Sequence, residues 1–150
     1  MMEQELASIV KFVTSAAGHP REYYCDEVLE GFELPAVYYP LPRLLTGGDS
    51  LEAYGVFYTL DVKFFAKSSA EAYEMGLAAL TAIRGRKCWI PLVEMRGCVF
   101  LDDEFWIKSA ELRVLEAGVA QLTLKWDVRR CYAEEEAEKV TRANIKMERK

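Results

Sequence analysis

The chain has 150 residues, of which 51% are hydrophobic and 29% charged, with a net charge of −5. This composition fits one soluble globular domain that can bury a core without disulfide or metal staples. It excludes a disordered chain and, since no apolar run approaches the roughly 20 residues that span a bilayer, a helical membrane protein.

Residues 2–17 predict a helix in which Leu6, Ile9, Val10, Val13, Ala16 and Ala17 share one face. Gly18 suits the left-handed end of a helix, and Pro20 stops its continuation. The face could take a partner helix or pack on the protein's own sheet, which is the simpler use. Residues 21–53 are the least regular stretch. Tyr23-Tyr24-Cys25 reads as a short strand. Pro35–Pro40 reads as a strand bracketed by prolines, lying at a sheet edge or starting just after Pro35, because proline lacks the donor that a ladder needs. Arg43–Ser50 reads as an exposed loop. Its Gly47-Gly48 pair is not followed by Gly-Lys-Ser/Thr, which argues against a P-loop. Leu44 and Leu45 either insert into a neighbouring molecule or tuck under the loop.

The chain is organised around the next unit, a long alternating strand from Tyr54 to Ala66 followed by a capped helix. Val56, Tyr58, Leu60, Val62 and Phe64 fall on one face of the strand, and Phe57, Thr59, Asp61, Lys63 and Phe65 on the other. Asp61 beside Lys63 reads as a surface ion pair. Ser68–Glu71 is a capping box. Behind it, Tyr73, Gly76, Leu77, Leu80 and Ile83 make one helical face. Arg84-Gly85-Arg86-Lys87 is a short basic turn that could touch a phosphate or, more simply, places cations at the helix C-terminus, where they complement its dipole and solvate the turn. Residues 88–105 are mixed, with short apolar runs at Trp89–Val93 and Cys98–Leu101. The acidic triplet Asp102-Asp103-Glu104 reads as a solvated turn, since three consecutive acids in an extended segment cannot converge on one cation.

Residues 106–132 predict a hairpin. Ala110, Leu112 and Val114 alternate with Glu111, Arg113 and Leu115; Ala120, Leu122, Leu124, Trp126 and Val128 alternate with Gln121, Thr123, Lys125, Asp127 and Arg129. Gly118 supplies the turn. One face is apolar and the other charged, so the sheet is expected to be covered on one side and open on the other. Residues 133–150 are a charged tail of helix formers, with Glu135–Lys139 and Glu138–Arg142 spaced for i,i+4 pairs. It reads either as a frayed, flexible end or as an arm that becomes helical on a neighbour. The domain expectation is one α+β domain over residues 1–132 and this tail.

No catalytic pattern stands out. His19 is the only histidine, so any triad would have to use it, and no Gly-x-Ser-x-Gly elbow is present. Glu30, Glu33, Glu94 and Asp61 could pair as acid and base only if the fold converges them. Cys25, Cys88, Cys98 and Cys131 lack metal-site spacing and read as reduced core or incidental thiols of a cytosolic protein. The acidic start, Met-Met-Glu-Gln-Glu, lacks the basic region of a signal peptide. The expectation is a non-enzyme with no cofactor and no metal. Residues 1–53 carry a net charge of −6, which argues against that part gripping nucleic-acid phosphates but is compatible with a negative channel past which DNA slides.

The order helix, proline-bounded strand, long strand, capped helix, hairpin (αββαββ) resembles the tail terminator and tail-completion proteins of long-tailed bacteriophages and phage-like bacteriocins. Val56–Tyr73 with the helix to Ile83 carries the resemblance, and Pro35–Tyr39 and Leu112–Val128 extend it. The resemblance implies an antiparallel or mixed sheet with two helices on one face. It also implies a structural protein whose copies form a ring, commonly a hexamer, that caps the tail tube and joins it to the head or collar. The implied partners are the tail tube protein and a head-completion or collar protein, with DNA only as cargo and no membrane. The implied locations are the cytoplasm during assembly and the virion neck thereafter. The residues expected at the subunit interface are Arg43, Leu44, Leu45, Phe57, Phe65, Arg113, Lys125 and Arg129. A neighbouring neck adaptor would share this architecture. A small-ligand-binding or accessory α+β domain, with a pocket on the aromatic sheet residues Phe57, Tyr58, Phe64, Phe65 and Trp126, is the alternative from another class.

Overall fold

A computed structural model describes residues 4–24, 33–48, 50–94 and 100–132. The elements are α1 (Gln4–Ala16), β1 (Arg21–Tyr24), β2 (Ala36–Tyr39), β3 (Arg43–Gly48), β4 (Ala53–Phe65), α2 (Ser69–Gly85), β5 (Trp89–Val93), β6 (Phe100–Trp106), β7 (Ser109–Glu116) and β8 (Val119–Cys131). The main sheet runs β1-β2-β4-β8-β7, with β3 also pairing β4, and β5 and β6 form a sheet of their own. β1 lies parallel to β2. β2 is antiparallel to β4 and β7 is antiparallel to β8, so the sheet is mixed. The described residues fall into two compact units. One comprises residues up to Arg43 with Tyr58–Trp126; the other comprises Leu44–Phe57 with the residues from Asp127 on.

In the first unit, period-two alternation decides which side of each strand is dry. Tyr58, Leu60, Val62 and Phe64 of β4 are buried, as are Ala120, Leu122, Leu124 and Trp126 of β8. Burying each large side chain contributes about 1.5–3 kcal/mol. Trp126 stacks on Tyr58 with ring centroids 5.0 Å apart and meets the edge of Phe105 from β6 at 6.3 Å, so the small sheet roofs one end of this face. Both helices pack on the same side. A Cβ on Gly76 of α2 would lie 2.4 Å from Leu112 Cδ1, so glycine there lets the helix sit directly on β7. On α1, Thr14 Oγ1 lies 2.6 Å from the Tyr39 hydroxyl, which donates to Val10 O at 3.2 Å. Val93 N of β5 donates to Ser8 Oγ, which itself donates to Gln4 O. The buried hydroxyls of Ser8, Thr14 and Tyr39 are thus all paired, as burial favours.

Several expectations need correction. Among the described residues the order is a helix, four strands, a helix and four strands, not αββαββ. Arg43–Gly48 is strand β3, not a loop, because its backbone ladders to β4 although its side chains are exposed. Asp102-Asp103-Glu104 lies within strand β6, where both sides of the strand are exposed at these positions and solvent accepts consecutive acids. Of the two alternatives for the strand after Pro35, the edge position is not found, since β2 lies between β1 and β4, whereas the start just after Pro35 is, and the missing donor of Pro35 therefore costs the ladder nothing. The buried face of α2 is Ala72, Gly76, Ala79 and Ile83, while Tyr73 and Leu77 are exposed. Close approach to the sheet selects small residues and rotates the larger ones outward. On α1, Leu6, Ile9, Val10 and Val13 are buried as expected, but Ser8 and Thr14 complete the buried face, Ala16 is half-buried and Ala17 lies beyond the helix. The β4 alternation stands as expected, as does the cap, with Ser68 Oγ accepting from Glu71 N at 3.2 Å. The tail 133–150, Cys25, Cys98 and Glu30 lie outside the described residues.

Candidate assembly surface

The open side of the first unit is polar by the same alternation that makes the other side dry. Asp61 on β4 accepts from Thr123 Oγ1 at 2.9 Å and from Gln121 Nε2 at 3.4 Å, which ties β4 to β8. Its second oxygen lies 3.3 Å from Arg43 Nη2. The ion-pair partner of Asp61 is therefore Arg43 and not Lys63, which stands opposite Tyr38 of β2. Arg43 remains largely exposed, so the pair contributes under about 1 kcal/mol to folding. Arg113 is exposed opposite Gln121, Lys125 is exposed opposite Ser109, and half-buried Phe65 stands opposite Ala36. These four expected interface residues are spread over the open face rather than gathered into a cleft.

In the second unit, β3 and the start of β4 form a hairpin closed by Ser50. The Ser50 hydroxyl accepts from Glu52 N and Ala53 N at 3.2 and 3.1 Å. Leu44 and Leu45 are exposed on β3, so they are not tucked under a loop. The Phe57 ring lies over Gly55 and Gly47: a Cβ on Gly55 would come within 3.0 Å of it. Together Phe57 and Arg129 line a shallow recess of about 370 Å³ with Gly47, Gly48, Gly55, Asp127 and Val128. Tyr132 N donates to Glu52 O, and the Tyr54 and Tyr132 rings lie 5.4 Å apart, which fastens the end of β8 to the start of β4.

The sequence reading missed three exposed features. Trp89 and Trp106 are register partners on the β5–β6 hairpin and both are exposed. Tyr73 and Leu77 are exposed on α2, and Val114 and Leu115 on β7. The paired tryptophans at the two ends of residues 89–106 were a hairpin signal hidden by the acids between them. Among the described residues no three His, Cys, Asp or Glu side chains gather as a metal site. No helix among them is long and apolar enough to cross a membrane. Burial pushes the Tyr39 phenol well above its ordinary value, against the lowering effect of the Thr14 hydrogen bond. This group sits in the core under α1 and serves packing.

The chain resembles known proteins over most of its length. The phage-like element PBSX protein XkdJ of Bacillus subtilis (strain 168) is 30% identical over 131 residues, spanning 87% of this chain and 88% of that protein. The uncharacterized protein YqbJ of the same organism is 27% identical over 135 residues, 90% of each chain. A chain in the virion of a native gene transfer agent particle matches with a TM-score of 0.51 at 15% identity, over 85% of this chain and 94% of that one. At that identity the likeness speaks to the α+β fold alone. No family model matches the chain.

Proposed function

The chain belongs to the family of the phage-like element PBSX protein XkdJ, and from that premise we propose that it is a non-catalytic structural protein of a phage-like particle. In this reading it is a tail terminator: copies form a ring that ends the tail tube and joins it to the head or collar, with DNA passing through as cargo. The observation that carries the reading is the relation to a phage-like element protein over nearly the whole of both chains. The surface is compatible with assembly. One sheet face carries the core, while the open face and β3 offer charged and aliphatic side chains for contact. The protein would be made and assembled in the cytoplasm and end in the neck of the particle, against the tube protein on one side and a head-completion or collar protein on the other.

The test is deletion of the gene from its element, followed by induction and electron microscopy. Tail tubes longer than those of the parent, and detached from heads, are the expected result. Tubes of normal length that lack heads would reassign the protein to the neck adaptor beside the terminator. Normal, joined particles would remove the structural reading. A quicker check is the DNA on either side of the gene, which should encode head and portal proteins upstream and tube and tape-measure proteins downstream.

A further inference from the structure

We infer that copies of this chain join head to tail by strand addition, the outer edge of β3 in one copy running antiparallel to the outer edge of β7 in the next. The inference rests on the ring reading and names the surfaces that would form the ring. Among the described residues the main sheet ends in three outer strands, β1, β3 and β7. An outer strand presents N–H and C=O groups that another chain can pair, and natural proteins blunt such edges with short length, charge or proline. β1 is blunted, with four residues that begin Arg21-Glu22. β3 is not. Its six residues are Arg-Leu-Leu-Thr-Gly-Gly, and Leu44 and Leu45 are 53% and 70% exposed. β7 has eight residues and exposes Val114 and Leu115 at 46% and 41%.

The two edges carry complementary chemistry in one direction only. β3 reads Arg43, Leu44, Leu45, and β7 reads Val114, Leu115, Glu116. Run antiparallel, the cation comes to the carboxylate and the leucines come to the two apolar residues. Run parallel, Arg43 would meet Val114, and Leu45 would meet Glu116. Arg43 can serve such a contact while paired to Asp61, because its side chain is 71% exposed. The register of β7 on β8 shifts between Val114 and Glu116, so Leu115 is the extra residue of a bulge and is not held opposite a β8 partner. Each copy carries one edge of each kind, so the contact is heterologous and can repeat from copy to copy, as a ring requires. A second copy therefore supplies both partners, which a single foreign strand would not.

The test is disulfide trapping of the full chain, with Cys131→Ser throughout because Cys131 is an exposed thiol. Opposed antiparallel residues have Cα atoms about 4.5–5.5 Å apart, within disulfide reach. Under mild oxidation, a mixture of Leu44→Cys protein with Leu115→Cys protein should give a crosslinked dimer that neither variant gives alone. A chain carrying both changes should give a ladder of multimers, and reductant should collapse both products. Adding Glu116→Arg should lower the yield. Circular dichroism and melting should match the parent, since both leucines are exposed. Self-crosslinking of Leu44→Cys alone, or no mixed product at the highest soluble concentration, overturns the inference. Mixed crosslinks with normal tails in the deletion strain would keep the pairing and remove the terminator role. Overlong tails without mixed crosslinks would do the reverse.

Discussion

Gly118 is the position where a single added methyl group should cost most for its size. It joins β7 to β8 at a φ of 76°, in the left-handed region. Its N–H donates to Ser69 Oγ at 3.1 Å and its carbonyl accepts from Ala66 N at 3.0 Å, so the turn is pinned to the junction between β4 and α2. A Cβ here would lie 2.8 Å from the Ala66 carbonyl oxygen, a backbone atom that cannot swing aside. Gly118→Ala therefore pays the left-handed penalty of about 1–2 kcal/mol. It also weakens at least one of the two hydrogen bonds, worth about 1 kcal/mol. The expected loss is about 2–3 kcal/mol, which for a chain of this size lowers the thermal midpoint by about 5–10 °C. Urea unfolding followed by circular dichroism measures it directly. The control is Gly85→Ala at the end of α2, where nothing lies within 4 Å of the added atom. That change should leave stability within about 0.5 kcal/mol or raise it slightly, since alanine is the better helix former. A Gly118→Ala loss no larger than that of the control would refute the reasoning.

Three further outcomes follow from the same core. Ser68→Ala removes the cap on α2 and should cost about 1 kcal/mol in urea unfolding. Trp126→Ala empties the site stacked on Tyr58 and should cost about 3–5 kcal/mol. Trp126→Phe should cost much less, because it keeps a ring against Tyr58 and removes only part of the buried volume, while the indole N–H lost in either variant is buried without a hydrogen-bond partner among the described residues, as calorimetry would show. Tyr39 is held neutral by burial. Its folded pKa lies above the unfolded value of about 10, so its contribution is fully present below that pH and is lost as pH rises beyond it. Alkaline unfolding should therefore start above about pH 10 and begin at higher pH in Tyr39→Phe, followed by tyrosinate absorbance.

What was legible in the sequence is what strict periodicity writes. Burial alternates residue by residue in β4 from Val56 to Phe65 and in β8 from Leu122 to Arg129, as the sequence pattern there predicts. The Ser68 cap needed only local chemistry. The misreadings share one cause: the deciding partner was distant in sequence. β3 looks like a loop because solvent, not a core, faces its leucines, and only pairing with β4 makes it a strand. The face of α2 turned away from Tyr73 and Leu77 because Leu112, 36 positions on, presses against Gly76 and admits only small neighbours. Asp61 reached Arg43, Thr123 and Gln121 across strands instead of Lys63 on its own. Of the expected interface residues, the exposure of Leu44 and Leu45 was open in the sequence as one of two alternatives, whereas Val114 and Leu115 were hidden by a bulge that no local pattern marks.

Stability and assembly are therefore carried by different atoms in the same strands. On β7, Leu112 turns inward against α2 while Val114 and Leu115, two and three residues on, are exposed. On β4 the even-numbered residues from Val56 to Phe64 build the core, and Asp61 between them engages Arg43 at the start of β3. Because alternate side chains point to opposite faces, a substitution can reach one role without the other. Gly118→Ala should lower the melting temperature without altering crosslinking of the folded fraction, and Glu116→Arg should lower crosslinking at an unchanged melting temperature. If the two readouts instead fell together in both variants, the exposed residues of β7 would be acting through the fold, and the surface assigned to the neighbouring copy would be only an outward part of the core.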